Sequence, residues 1–452
     1  MKKQKKKNYS VFIRNSQNIY EPVYDLENEI AQFVSLESEI EYRDFVLVRE
    51  KETYPYPIKS DLIKYKAVLF PSEALDYGDE KQLLQDIRNY IHKYLEVSDF
   101  FEKIVPYYVL FSWLFDKFKE LPYLRAIGDY GCGKSRFLKV IGSVCYRPMF
   151  TAGATTTAPI FRIINQFRGT LILDEADMRW SDTNNEMVKI LNNGFQDDIP
   201  VLRCSGDDHE VKSFNVFGPK IVATRNKFHD KALESRFLVE YMDGKLTRKD
   251  IPYNLDDNFD KEALEIRNKC LMWRLRNYSK DYESDKTYDH SIEPRLNQII
   301  SPLLSVIEDE QTRLELREFV KKYNEELKTD RGFSFEAPIL ETIISLMDDG
   351  SDLTTMKTIS EAYNNRSQGT EKELSPRKMG GIIKDKFRLK TTKTRNGYVL
   401  DEVSYKENID RLSKKYGIER EHVNIVNVSE GGKDEFTREI EELNRHKLPD
   451  FL

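Results

Sequence analysis

Gly128-Asp129-Tyr130-Gly131-Cys132-Gly133-Lys134-Ser135 is the stretch from which the fold of this 452-residue chain is read. A glycine followed, four residues on, by Gly-Lys-Ser is a phosphate-loop pattern. Its surroundings fit: Tyr123-Leu124-Arg125-Ala126-Ile127 reads as a buried strand, and residues 136–144 read as a helix. Glycines let backbone N–H groups turn inward around phosphate oxygens, and the N-terminus of the next helix adds partial positive charge. Residues 128–133 then cradle the phosphates of ATP, Lys134 reaches the β- and γ-phosphates, and the Ser135 hydroxyl ligates Mg2+. Cys132 reads as a small filler within the loop.

Working outward, residues 123–243 alternate short apolar strands with helical or irregular stretches, the pattern of a parallel α/β sheet. Thr170-Leu171-Ile172-Leu173 is such a strand, and it ends in Asp174-Glu175-Ala176-Asp177. Asp174, at the carboxyl end of the strand, is placed to hold Mg2+, and Glu175 to polarise the attacking water. Lys220-Ile221-Val222-Ala223-Thr224-Arg225-Asn226 is a further strand with polar residues at its end, suited to sensing the γ-phosphate; Thr224 is the first choice and Asn226 the second. Ala232-Leu233-Glu234-Ser235-Arg236-Phe237 follows. Alone, Arg236 reads as a salt-bridging arginine; behind three matching elements it reads as an arginine finger offered to a neighbouring subunit.

The order of phosphate loop, Asp-Glu-x-Asp, sensor strand and Ser-Arg-Phe resembles the AAA+ ATPases. Within them the chain is most similar to MCM-like replicative helicases and the related ATPases of phages, plasmids and chromosome-cassette mobile elements. The resemblance spans roughly residues 85–400. It implies a P-loop AAA+ core of parallel sheet and flanking helices with a helical lid, a homo-oligomeric ring, typically a hexamer, and DNA and replication proteins as partners. The span from Ser135 to Asp174 is too short for the helix-2 insertion of cellular MCM proteins, and the N-terminal region lacks their zinc ligands. Arg295, in Glu293-Pro294-Arg295-Leu296, is a candidate second nucleotide sensor, with a helix-cap salt bridge as the competing reading.

Two regions are candidates for DNA contact. Pro200-Val201-Leu202-Arg203 and Glu210-Val211-Lys212-Ser213-Phe214 flank a Gly/Asp turn and predict a hairpin. In the helicases that the chain resembles, a hairpin at this place points into the ring channel, which makes Arg203 and Lys212 candidate phosphate contacts. Further on, three predicted helices (residues 339–347, 355–363 and 375–387) lead into a two-stranded wing with an Asn396-Gly397 turn. Three helices plus a wing resemble a winged helix-turn-helix domain. Residues 375–395 carry eight Lys/Arg and one acidic residue, a local +7 that includes Arg377, Lys378, Lys384, Lys393 and Arg395. Such a concentration suits phosphate contact.

The expected organisation is a small mostly-β N-terminal domain with a basic tail (residues 1–80), an ATPase core (81–255), a helical lid or linker (256–335), a winged helix (336–405) and a polar tail (406–452). The net charge of −6 excludes a uniformly basic nucleic-acid coat but not a local patch. Four scattered cysteines and six scattered histidines form no metal-ligand spacing. The longest apolar run, residues 104–115, contains Pro106 and Ser112 and falls short of the ~18–20 residues that span a bilayer. A soluble, cytoplasmic, ATP-dependent DNA helicase is the expectation. A nucleotide-switch initiator or loader that binds DNA without unwinding it is the alternative.

Overall fold

Strands buried on both faces form the centre of the first unit. β1 (Tyr123–Ile127), β2 (Met149–Thr151), β3 (Leu171–Leu173), β4 (Lys220–Thr224) and β5 (Phe237–Tyr241) all run parallel, in the order β5-β1-β4-β3-β2. Every residue of β1, β3 and β4 is buried, as expected of a parallel sheet covered by helices on both faces. The computed structural model describes residues 7–14, 18–174, 182–198, 200–205, 210–228, 230–242, 244, 248–283, 287–332, 336–348, 354–366, 373–416 and 418. It divides into two units, Met1–Asn324 and Glu325–Leu452.

The helices of the first unit follow from local chemistry. α1 (Glu80–Tyr94) is capped by Asp79, and α2 (Asp99–Trp113) by Ser98; each side chain accepts a first-turn amide. α2 ends at Trp113, and the chain tightens into a 3-10 turn, Phe115–Lys117. α3 (Lys134–Val144) follows the glycine loop, α4 (Thr157–Phe167) precedes β3, and α5 (Asp182–Asn193) follows it. α6 (Asp257–Asn277) and α7 (Pro294–Val306) come after the sheet, with the Glu310–Gly332 helix behind them. Phe100 stacks on Phe319 at 4.0 Å, so the Glu310–Gly332 helix packs against α2.

The mostly-β N-terminal region exists, as a four-stranded antiparallel sheet and a three-stranded sheet within residues 8–55. It is not a free-standing domain, because its Glu21 is buried in the first unit. The Glu21 carboxylate accepts Nη2 of Arg147 at 2.5 Å, Nε of Arg274 at 2.8 Å and the Tyr146 hydroxyl at 3.0 Å. Arg274 also holds Asp116 at 2.7 and 2.8 Å, and Tyr278 donates to Asp116 at 3.0 Å. Two buried arginines are thus balanced by two carboxylates, one of them from the N-terminal sheet.

Removing one partner of such a network strands a charge, at a cost of about 3–5 kcal/mol. Glu21→Ala is therefore expected to lower the unfolding free energy of the first unit, measured by chemical denaturation, by that amount. A loss below about 1 kcal/mol would contradict the network's role. Burial pushes the Asp116 carboxyl up, but the charge and hydrogen bonds of Arg274 outweigh it and hold it below the usual range. A depressed folded pKa stabilises above the unfolded value, so this contribution is present at neutral pH and is lost below about pH 4.

In the second unit, α8 (Glu336–Asp348), α9 (Met356–Arg366) and α10 (Pro376–Ile382) share a core of Ile339, Leu340, Ile343, Ile359, Tyr363 and Met379. Ser375 caps α10 and Pro376 occupies its first turn, as the sequence predicts. The predicted helix to residue 387 instead widens into a π-turn at Ile383–Phe387, which puts Ile383 and Phe387 in the core. A hairpin follows, Thr391–Thr394 paired antiparallel with Gly397–Leu400. Its central turn residues are Arg395 and Asn396, not Asn396 and Gly397. Gly397 takes φ 110° just after them, a left-handed backbone value that glycine adopts without a Cβ penalty.

The expected polar tail from residue 406 needs correction as well. α11 (Glu402–Tyr416) buries Tyr405, Ile409, Leu412 and Tyr416 in the same core. Charged residues between those positions masked the apolar stripe. Residues 419–452, the rest of the expected polar tail, and residues 1–6 of the basic N-terminal tail lie outside the described residues.

Candidate functional site

The glycine loop sits at the carboxyl end of β1, between the strand and α3. Gly131 and Gly133 take φ of 73° and 96°, which turns the chain tightly before the helix. At Gly128 a Cβ would lie 2.4 Å from the Met242 carbonyl oxygen and 2.5 Å from Cys132 Sγ. Only glycine fits there. The cap of α3 is Gly133, with no side chain to accept a first-turn amide, whereas α1 and α2 are capped by side chains. The N-terminal amides of α3 are left to an anion. Lys134 folds its ammonium onto the loop, donating to the carbonyls of Gly128 at 2.6 Å and Asp129 at 2.5 Å. Cys132 is buried and donates its thiol to the Asp129 carbonyl, which fits the filler reading. Ser135 is exposed. Tyr130 is exposed and lies under the Arg225 guanidinium, 3.8 Å from its ring centroid.

The strand order brings the other candidates to the same edge. Ile127 pairs with Thr224, and the Gly128 amide donates to the Thr224 carbonyl at 3.2 Å. β3 lies on the far side of β4, so Asp174 stands two strand spacings, about 10 Å, from the loop. Glu175 lies outside the described residues. Thr224 is buried, and its hydroxyl finds no hydrogen-bond partner among the described residues. An orphaned hydroxyl beside an exposed lysine-and-serine loop fits a phosphate or its attacking water. Thr224→Val, which keeps the shape, is expected to leave the melting temperature unchanged or higher, since no bond is lost. Turnover is expected to fall about 10- to 100-fold, measured by phosphate release. A fall in melting temperature with intact turnover would reverse the assignment. Asn226 is exposed at the same edge.

Arg236 and Arg295 are at the other end. Arg236 precedes β5, and its carbonyl accepts the Tyr123 amide at the start of β1. Five strand residues, about 16 Å, separate it from the phosphate-loop edge. Its guanidinium is buried, donates to Asn192 Oδ1 and to the Ala232 carbonyl at 2.9 Å, and lies 4.2 Å from the Phe195 ring centroid. Burial and the neighbouring Arg295 charge pull its pKa down to about 10, still protonated at neutral pH. Arg295 donates to the same Ala232 carbonyl at 3.2 Å. A contact from Arg295 to its own chain's phosphate loop, one way of reading it as a sensor, is not what this fold allows. The helix on which it sits starts at the opposite edge of the sheet.

Sequence reading missed one pair. Arg125, in the middle of β1, makes a bidentate ion pair with Glu234; one arm is 2.8 Å, and both residues are buried. Its guanidinium also stacks between Phe228 and Phe237, 4.8 Å from each centroid. The strand that leads into the phosphate loop is thereby clamped to the turn that carries Arg236. The signal was present: an arginine inside an otherwise apolar strand needs a buried carboxylate.

The predicted hairpin forms, Val201–Ser205 against Glu210–Phe214, with Arg203 opposite Lys212. Residues 206–209 at its tip lie outside the described residues. Arg203 is not a free phosphate ligand: it pairs with Glu186 at 2.8 Å and lies 3.9 Å from the Phe161 ring centroid. Lys212 lies 3.7 Å from Glu210 and is half exposed. Among the second unit's cations, Arg377, Lys378, Lys384, Lys393 and Arg395 are all exposed. None of these five has a carboxylate within ion-pair distance among the described residues.

The site is therefore a phosphate loop at the carboxyl edge of a parallel sheet, with two arginines at the opposite edge. No protein-family model matches the chain, and no curated protein matches it. Among solved structures it is similar to the A-form apo structure of the NrS-1 C-terminal region, at 11% identity and TM-score 0.35, covering 84% of this chain and 96% of that one. A second apo structure of that region, residues 305–718, gives 11% identity and TM-score 0.36, covering 84% and 95%. No helix among the described residues is long and apolar enough to cross a membrane.

Proposed function

We propose that the chain is an AAA+ ATPase that assembles into a ring, as a hexamer, and translocates on DNA as the cytoplasmic replicative helicase of a mobile element. The observation that carries this reading is the placement of a phosphate loop and an arginine turn at opposite edges of one sheet. A subunit so built offers a phosphate site on one side and cations for a neighbour's site on the other. Bound MgATP supplies the phosphoanhydride to be cleaved. Lys134 exchanges the carbonyls of Gly128 and Asp129 for phosphate oxygens, and Ser135 and Asp174 hold the metal ion. Glu175 takes the proton of the attacking water, and Thr224, backed by Asn226, orients it. Arg236, with Arg295 beside it, meets the neighbouring subunit's nucleotide.

In the second unit, the three helices and hairpin act as a winged helix, with Arg377 and Lys378 at the start of α10, Lys384 beyond it, and Lys393 and Arg395 on the wing touching DNA phosphates. In the hairpin of the first unit, Lys212 is the remaining contact, because Arg203 is committed to Glu186. A forked-duplex assay tests the reading: strand displacement that requires ATP supports it. DNA-stimulated ATP turnover without displacement would replace it with an initiator or loader that remodels DNA-bound partners.

A further inference from the structure

A cavity of about 650 Å3 lies between the N-terminal sheet, the segment after it and α6, away from the phosphate loop. Ser143, on its wall, is nine residues along α3 from Lys134, about 13 Å of helix. At its floor Arg267 is 6% exposed. Its Nε donates to the Phe70 carbonyl at 3.2 Å and its Nη1 to the Ser143 carbonyl at 2.7 Å. The guanidinium has five N–H groups; those that Phe70 and Ser143 leave over find no protein acceptor within bonding distance among the described residues and open onto the cavity, where Asp260 adds favourable charge. Charged donors that open only onto a cavity are matched best by an anion inside it. Burial lowers its pKa only to about 10, so it stays charged at neutral pH.

The walls and rim describe what that anion is attached to. Ile63, Leu69 and Leu264 give the cavity an apolar flank. Lys66 and Asp260 at the lip neutralise each other at 2.8 Å. Asp25, Glu27, Glu73 and Asp257 then face a single ammonium, Lys261. A fitting ligand has a carboxylate at one end, an apolar body and positive charge at the other.

We propose that this cavity binds the carboxyl-terminal end of a basic peptide: its free carboxylate on Arg267, its last apolar side chain against Leu69 and Leu264, and its preceding lysines or arginines at the acidic rim. Its volume is in the range of cavities that enclose drug-sized ligands, and a terminal carboxylate is a recurring anchor in peptide recognition. The site is independent of the ATPase reading.

The test is fluorescence anisotropy of the full chain with a labelled peptide ending in Lys-Lys-Leu-Leu and a free carboxylate. Saturable binding is expected. C-terminal amidation, or replacement of both lysines by glutamate, is expected to weaken it at least tenfold. Arg267→Met removes two bonds to backbone carbonyls and can unfold the chain, so Leu264→Trp, which fills the cavity from α6, is the second variant and is expected to abolish binding. Lys134→Ala is expected to bind the peptide as the wild type does. Equal affinity for acid and amide, binding unaffected by Leu264→Trp, or no binding at millimolar peptide would overturn the proposal. So would displacement of the peptide by inorganic phosphate at micromolar concentration, which would assign the floor to a phosphate.

Discussion

Lys134→Ala is expected to reduce ATP turnover by at least two to three orders of magnitude, the scale seen when one preorganised donor is removed from a developing negative charge, about 10²–10³. The ammonium is the one side-chain cation inside the glycine loop, and among the described residues it bonds only to Gly128, Asp129 and Cys132 of that loop. Its removal breaks no contact with the sheet, so the melting temperature is expected to stay within a few degrees of wild type. Phosphate release gives the first quantity, thermal unfolding the second, and titration with a fluorescent ATP analogue the accompanying loss of affinity. Turnover above a tenth of wild type would remove the loop from the chemistry.

Arg236→Ala is expected to lower turnover by about 10³-fold, the lower end of the range for an arginine finger. The substitution also vacates a packed position over Phe195 and beside Asn192. Loss of activity alone would therefore not distinguish a finger from a structural arginine. Mixing separates them. Arg236→Ala subunits keep an intact phosphate loop, and Lys134→Ala subunits keep an intact arginine. In the proposed ring a mixture would contain interfaces that combine the two, so it is expected to regain turnover that neither variant has alone. A structural arginine gives no rescue at any ratio, and that result would confine Arg236 to its own subunit.

The glycine-loop edge was legible because its geometry is local. A strand, a glycine loop and a helix are contiguous from Tyr123 to Val144, so spacing alone fixes their geometry. Asp174 and Thr224 could be placed in the same way, as polar residues at the ends of apolar strands. What stayed hidden depends on contacts distant in sequence. Glu21 reads as one lone carboxylate in a short, mostly apolar strand until Arg147 and Arg274 are brought to it from 126 and 253 residues away. Arg203 reads as a free cation until Glu186 is known to face it, and Arg295 as a sensor until the start of α7 is seen beside Ala232. Each correction comes from the same cause: sequence shows which groups carry charge, and only the fold shows which charges are already matched.

The buried carboxylate of Glu21 also limits how this protein can be divided or exchanged among relatives. A cut at residue 80, where composition changes, looks like a module boundary. A chain starting at Lys81 would nevertheless keep Arg147 and Arg274 while losing one of the two carboxylates that balance them. The N-terminal strands and the central parallel sheet therefore form one exchangeable piece: a donor N-terminus grafted onto this sheet must bring its own acid to the same spot.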